Sequence, residues 1–329
     1  MDINKKRDYY FDNLKFLLIA LVVIGHVIEP MSSSGNLKFL YILIYLFHMP
    51  LFSFVTGYFS KKYAPIKLLK NVAIPYMAFQ ILYFLFTRFV LGDINNTFSF
   101  FTPYWIMWYL LSLLTWQLVV PIFQFRYSII VAIVIGILAG YDNSVSYFFS
   151  LSRTIYFFPF FLMGYKFSKG WFFNLMSIKP RIIISILGLI AISVGVYRLS
   201  DTIDIRLLYG SYSYSALKLS SWYAGVYRLL LYVITTTISI CFLSIVPSRV
   251  TIFTDLGSRT LNVYLLHGFI IKLMVSYNLY VYFNDNFKKL SLIFIGFSLT
   301  FVLSTKLFSY ILKPLYLLNI DKLYRDKTT

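Results

Sequence analysis

Apolar runs recur along the whole chain, near residues 14–31, 38–60, 71–91, 104–124, 127–140, 147–166, 181–198, 222–246, 258–278 and 290–312, each bounded by polar or basic residues. Most approach or reach the ~20 residues that an α-helix needs to cross ~30 Å of hydrocarbon. Peptide groups cannot stay unpaired in lipid, so runs of this kind fold as helices. The expected fold is all-α: a polytopic integral membrane bundle of about ten transmembrane helices. The run at 127–140 is short, and a re-entrant path there would change the count and send the C-terminus to the other face. With 59% of 329 residues hydrophobic and only 13% charged, the chain has too little polar surface to clothe a soluble body. No separate soluble domain, internal repeat or low-complexity linker interrupts the pattern. One domain is expected over residues 1–329, with its core at about 10–313 and short tails.

The formal charge of +18 follows topology. Lys and Arg gather at Lys5–Lys15, Lys61–Lys70, Lys166–Arg181, Arg249–Arg259 and Lys313–Lys327, all on one side of a ten-span bundle and the same side as both termini. The positive-inside rule makes that side cytoplasmic. The cations are thus accounted for without a nucleic-acid partner. The first apolar run follows Lys5, Lys6 and Arg7 but lacks a small-residue cleavage signature, so it reads as an uncleaved helix. Cys241 is the only cysteine, which excludes an intrachain disulfide and a cysteine metal site. The opposite face carries Glu29, Asp93 and Asp142 and one long Ser- and Tyr-rich loop, 198–221.

All three histidines, His26, His48 and His267, lie inside apolar runs. An ionisable residue in such a place is a functional-site candidate, because it must be paired or lose its charge. In YFDNLKFLLIALVVIGHVIEP, Lys15 and His26 are eleven residues apart, close to three turns, so they share a face about 16 Å apart along the axis. Glu29 follows His26 by three residues and is its neighbour on the helix. A carboxylate there orients the imidazole and stabilises the imidazolium formed on proton abstraction. Equally, Lys15 snorkels to the interface and Glu29 marks the membrane boundary.

His48 lies about 15 Å into the returning second run, near the His26 level, with Pro50 freeing backbone groups beside it and Gly57 permitting close helix approach. The competing reading is a structural histidine bonded to a nearby carbonyl. Arg153 and Arg228 sit toward the outer parts of their runs, where arginine pairs Glu29, binds a lipid phosphate, contacts a glycan or snorkels. Tyr104, Trp105, Trp108 and Tyr109 offer flat faces to a sugar, or form an interfacial aromatic belt. No Gly-rich phosphate loop, His-Glu-x-x-His helix or G-x-S-x-G elbow is present, which counts against a built-in ATPase, a zinc protease and a serine hydrolase.

The chain resembles the membrane-bound acyltransferase-3 superfamily, and within it the fucose 4-O-acetylase-like branch. The resemblance rests on FDNLKFLLIALVVIGH, FHMPLFSFVTGYFSKK, KLLKNVAIPY, WIMWYLLSLL, SRTIYFFPFFLMGYKF and LGSRTLNVYLLHGFII, in that order over nearly the whole chain. It implies a ten-helix domain in the cell membrane, of a bacterial cytoplasmic type, that moves an acetyl group from cytosolic acetyl-CoA to a hydroxyl of an envelope glycan or lipid-linked saccharide. The family's first-helix pattern of Arg, ten residues and an essential His falls on Lys15 and His26. Lys keeps the charge but not the planar fork of guanidinium. Thr56 stands where Ser is common and keeps the hydroxyl. No hydrolase-like domain, fused in some relatives, is expected after the last span, so the chain acts as a membrane module, alone, as a homo-oligomer or with glycan-assembly partners.

The roles implied are His26 as general base or nucleophile, helped by Glu29 or His48. Lys15, Lys61, Lys62, Lys67 and Lys70 meet the phosphates of acetyl-CoA, and Arg153, Trp105, Trp108 and His267 hold the acceptor. No metal is expected. Another short acyl group, such as succinyl, remains compatible with this pattern. Two rivals stay open: a protein that exports or flips a polysaccharide or lipid-linked sugar, and a scaffold for envelope enzymes.

Overall fold

A computed structural model describes residues 8–33, 35–61, 65–168, 170, 177–219 and 221–316. Among them there is no strand, and each of the ten apolar runs is helical. The helices are α1 (Tyr9–Ile28), α2 (Gly35–Phe59), α3 (Pro65–Val90), α4 (Trp105–Phe123), α5 (Ser128–Leu138), α6 (Leu151–Lys166), α7 (Arg181–Leu199), α8 (Gly225–Ile245), α9 (Thr260–Ser276) and α10 (Asn286–Leu303). An eleventh, α11 (Lys306–Tyr316), follows. Seven of these, α1 to α4, α7, α8 and α10, are long and apolar enough to cross a membrane. The chain is a multi-pass helical membrane protein.

The tenth run departs from expectation. Instead of one helix over 290–312, the chain breaks after Leu303 and restarts at Lys306. The Ser304 hydroxyl turns back to the Thr300 carbonyl at 2.7 Å, while Arg259 takes the Ser304 carbonyl at 3.0 Å. These bonds end α10 where its apolar character ends. In α11 Lys306, Ser309 and Lys313 lie on one face and Leu307, Phe308 and Ile311 on the other, so the segment is amphipathic rather than a continuation of the span.

α1 forms the centre. It packs on α2, α9 and α10, and most of its residues are buried, including the polar Asp12 and Asn13. Asn13 explains why the helix starts earlier than its apolar run. Its amide donates to the carbonyls of Pro247 and Arg249 and its oxygen accepts from Thr251 and Thr254, so polar side chains close the N-terminal end. By contrast α7 is largely exposed, with Ile183, Leu187 and Ile190 on its surface, as suits a lipid-facing helix.

The broadest contact joins α2 to α6. A Cβ on Gly57 would lie 2.0 Å from the Phe161 carbonyl oxygen, and one on Gly164 would lie 1.9 Å from that of Phe54. Reciprocal glycines thus let the two backbones touch, the close approach expected of Gly57. Pro50 inside α2 cannot donate to the Leu46 carbonyl. Thr235 on α8 supplies the missing bond at 2.7 Å, which ties a third helix to the pair.

Candidate active site

The last turn of α1 carries His26, and the chain then tightens into a 3-10 turn, Glu29–Met31, that holds Pro30. This turn brings the Glu29 carboxylate back to His26, with Oε2 3.0 Å from Nδ1. The Tyr45 hydroxyl, from α2, stands 3.1 Å from the same nitrogen. Gly25 makes room for it, since a Cβ there would meet the Tyr45 ring at 3.0 Å. With Nδ1–H donated to the carboxylate, Nε2 is left as the basic nitrogen.

Around this pair lies a cavity of about 240 Å3. Its wall includes His26, Glu29, Tyr45, His48, Trp105, Trp108 and Arg153. Five of the residues singled out from sequence beyond His26 therefore converge on one space. His48 donates from Nδ1–H to the Ile44 carbonyl at 2.7 Å, which leaves Nε2 as the free nitrogen. The carbonyl-bonded reading of His48 and the site reading both hold, for different nitrogens of one ring.

His267 is fully buried and does not line the cavity. Its ring stacks on His26 at 5.5 Å with 25° between planes, its Nδ1 bonds the Val263 carbonyl at 2.8 Å, and its Nε2 is buried with no hydrogen-bond partner. It therefore supports His26 from behind.

Trp105 and Arg153 owe their positions to the segments before their helices. Gln80 of α3 donates to the Ser99 and Thr102 carbonyls and accepts from the Tyr104 amide, fixing the turn from which α4 begins. Trp105 there adopts a φ of +30°, a conformation that a bulky residue rarely holds without support from its surroundings. Its ring lies 4.8 Å from that of His26, and the Lys272 ammonium sits 4.7 Å over it. Arg153 lies between the rings of Trp108 and Tyr147, at 5.2 and 5.1 Å, and donates through Nε to the Tyr209 carbonyl at 3.3 Å.

Four tyrosines on the wall were not singled out from sequence: Tyr45, Tyr147, Tyr209 and Tyr212. Tyr209 and Tyr212 belong to the long Ser- and Tyr-rich loop, whose composition was the only signal. A 3-10 helix, Ile205–Tyr209, and the Tyr41–Tyr209 hydroxyl contact at 2.9 Å fold that loop over the cavity. Of the other residues considered, Arg228 is buried away from Glu29 and clamps the carbonyls of Gly136 and Tyr212 at 2.8 and 3.1 Å. The Tyr109 hydroxyl meets Thr56 at 2.5 Å, outside the cavity wall.

The lysines occupy the other end of the bundle. Lys15 pairs with Asp12 at 2.9 Å and lies 5.6 Å over the Phe59 ring. Lys61 donates to the Phe167 carbonyl, over the Tyr58 ring. Lys67 and Lys70 stand on the first turns of α3, and Lys62 lies outside the described residues. No group of three or more His, Cys, Asp or Glu able to hold a metal occurs among the described residues.

The described residues thus form a helical membrane bundle that holds an imidazole beside a carboxylate on the wall of an aromatic-lined cavity. The acyltransferase-3 family model, described as an acyltransferase domain, matches residues 8–309. The chain belongs to this family of acyltransferase domains. Over 58 residues it is 43% identical to nodulation protein NolL of Mesorhizobium japonicum, a stretch that covers 16% of this chain and 16% of that protein. No solved structure matches it.

Proposed function

We propose that the protein moves an acetyl group from acetyl-CoA, bound at the lysine-bearing cytoplasmic face, to a hydroxyl of an envelope glycan or lipid-linked saccharide held in the His26 cavity. The observation that carries this reading is the 3.0 Å contact between Glu29 and His26 on the wall of a cavity that also holds Arg153, Trp105 and Trp108.

In the direct route, His26 Nε2 removes the proton from the acceptor hydroxyl as its oxygen attacks the thioester carbonyl. The C–O bond forms, the C–S bond breaks, and the imidazolium returns the proton to the leaving thiolate. Glu29 stabilises the imidazolium in between. In the relay route, Nε2 attacks the thioester carbonyl, a C–N bond forms as the C–S bond breaks and the thiolate leaves; the acceptor hydroxyl then attacks the acetyl-imidazole, a C–O bond forms as the C–N bond breaks, and the hydroxyl proton ends on the thiolate. Lys15, Lys61, Lys62, Lys67 and Lys70 are the candidate partners of the donor's phosphates. Their end of α1 is about 16 Å from His26 along the axis, a distance that the donor's flexible arm has to cover. Arg153, Trp105 and Trp108 offer a cation and flat rings to the acceptor, and His267 positions the His26 ring.

The test is reconstitution in liposomes with labelled acetyl-CoA and added envelope glycans, comparing the native chain with His26→Ala. Label on glycan or protein that His26→Ala abolishes supports the assignment. Full transfer by His26→Ala removes both routes, and glycan movement without acetyl-CoA returns the export rival.

A further inference from the structure

A second space adjoins the catalytic cavity from the membrane side. It is an apolar cleft of about 690 Å3 walled by Ile42 and Leu46 of α2, Val196 of α7, Leu231 of α8 and Leu208 of the overlying loop. All of these helix positions lie in the half of the bundle that holds His26: α1 and α7 end there, and α2 and α8 begin there. Leu217 and Leu219 add to the wall from the same loop. Unlike the open lipid-facing surface of α7, this cleft has a roof.

The roof is also the partition between the two spaces. Leu208 lines both the cleft and the His26 cavity. Just before it, Asp204 borders the cleft; just after it, Tyr209 and Tyr212 border the cavity. Arg206 sits between, bonded to Asp204 at 2.6 Å and lying 5.7 Å over the Tyr212 ring. Lys38 reaches the same rim, donating to the Asp201 carbonyl at 3.2 Å, and Arg198 lies one helical turn before Asp201. Lys38 and Arg206 thus put two cations on this rim. The order of chemistry along the loop is apolar cleft, cationic junction, polar aromatic cavity.

We propose that this cleft takes the aliphatic tail of a lipid-linked acceptor, with the phosphate linkage at the Lys38–Arg206 rim and the saccharide in the His26 cavity. The proposal rests on the acyl-transfer reading above and commits it to one acceptor class, a saccharide joined through phosphate to a long hydrocarbon chain. A tail in the roofed cleft raises the local concentration of its sugar beside His26, as tethering does generally. Each methylene held there adds to acceptor affinity through burial.

Gly195 provides the probe, because it borders the cleft and a Cβ on it meets nothing within 4 Å. A larger side chain enters the cleft without displacing the helices. In liposomes with labelled acetyl-CoA, two acceptors are compared: a polyisoprenyl-diphosphate-linked N-acetylhexosamine and the same sugar phosphate without the chain. The ratio of kcat/KM for the lipid-linked over the soluble acceptor is expected to fall about tenfold in Gly195→Phe, the loss of roughly two buried methylenes. An unchanged ratio overturns the proposal. Photo-cross-linking from a photoreactive side chain at Ile234, on the α8 wall, supplies a readout that needs no catalysis. The lipid-linked saccharide should be captured and should compete with bilayer phospholipid. Capture of phospholipid alone, with no competition, also overturns it. If capture succeeds while neither acceptor is acetylated, the acyl-transfer reading fails and the cleft assignment stands.

Discussion

Gly164 connects the packing of the bundle to the geometry of its site, and its replacement by alanine has a calculable consequence. The added methyl would lie 1.9 Å from the Phe54 carbonyl oxygen, where Cβ atoms essentially never come closer than 3.0 Å. The obstacle is backbone, so no rotamer change relieves it. The α2 and α6 backbones must separate by about 1 Å at this crossing. Overpacking of that kind costs about 1–3 kcal/mol of stability. The two helices carry opposite walls of the cavity, Tyr45 and His48 on α2 and Arg153 on α6. A misplacement of about 1 Å introduced away from the chemistry can lower rates about 10²-fold. The expected result for Gly164→Ala is therefore a lowered Tm in detergent and a loss of up to about 10²-fold in kcat/KM for acyl transfer in liposomes. Gly57→Ala, with its contact at 2.0 Å across the same crossing, should resemble it, and the double variant should fall short of the summed effects. For stability, Gly195→Ala is the reference, since its methyl enters open space. Gly164→Ala with unchanged Tm and kcat/KM within twofold of the native chain would refute the reasoning that the crossing sets the site.

Two further outcomes follow from single contacts. Glu29→Gln keeps an acceptor oxygen but loses its charge, and a charge-assisted bond is worth about twice a neutral one, so kcat should fall about tenfold with KM little changed; steady-state kinetics with His26 intact check this, and an unchanged kcat removes Glu29 from the proposed role. In the loop, the Arg206 guanidinium holds the Asp204 carboxyl below its ordinary value of 3.8, with Lys38 adding to the effect. The pair thus steadies residues 204–212 above that pH and loses its grip as pH falls through the lowered value. Hydrogen exchange of this segment, corrected for intrinsic rates, should speed up below pH 3.8 in the native chain and show no such dependence in Asp204→Asn.

Much of the fold was legible because lipid imposes one solution on a long apolar run. Every run is a helix, and the errors lie where polar groups decide instead. α1 starts at Tyr9 because Asn13 is buried and bonded by the loop 247–254, a contact between residues more than 230 positions apart. The last run splits at Ser304 because Arg259 and Thr300 complete the end of α10. The site divides in the same manner. His26 and Glu29 were legible from a spacing of three residues, and His48 from its depth in the returning helix. Tyr45 was not, since one tyrosine among 29 has no local mark and its role depends on the room left by Gly25. Nor could sequence separate Arg153 from Arg228, alike in depth and type; one faces the cavity, and the other is consumed by two carbonyls.

The positions of the charges also constrain how such a protein must work. The lysines cluster where α1 and α3 begin and α2 ends, while the imidazole, its carboxylate and Arg153 sit where α1 ends and α6 begins. Between them α1 presents Phe16, Leu18, Ile19, Val22 and Val23, all buried. A hydrated anion cannot follow that route, because its charge would have to shed water without gaining a partner. A neutral thioester on a thin flexible arm faces a much smaller penalty, because it carries no charge. On the proposed reaction, the apolar middle of α1 therefore separates the donor's phosphates, at the lysines, from the acceptor at His26, and only the uncharged acyl arm is suited to the space between them.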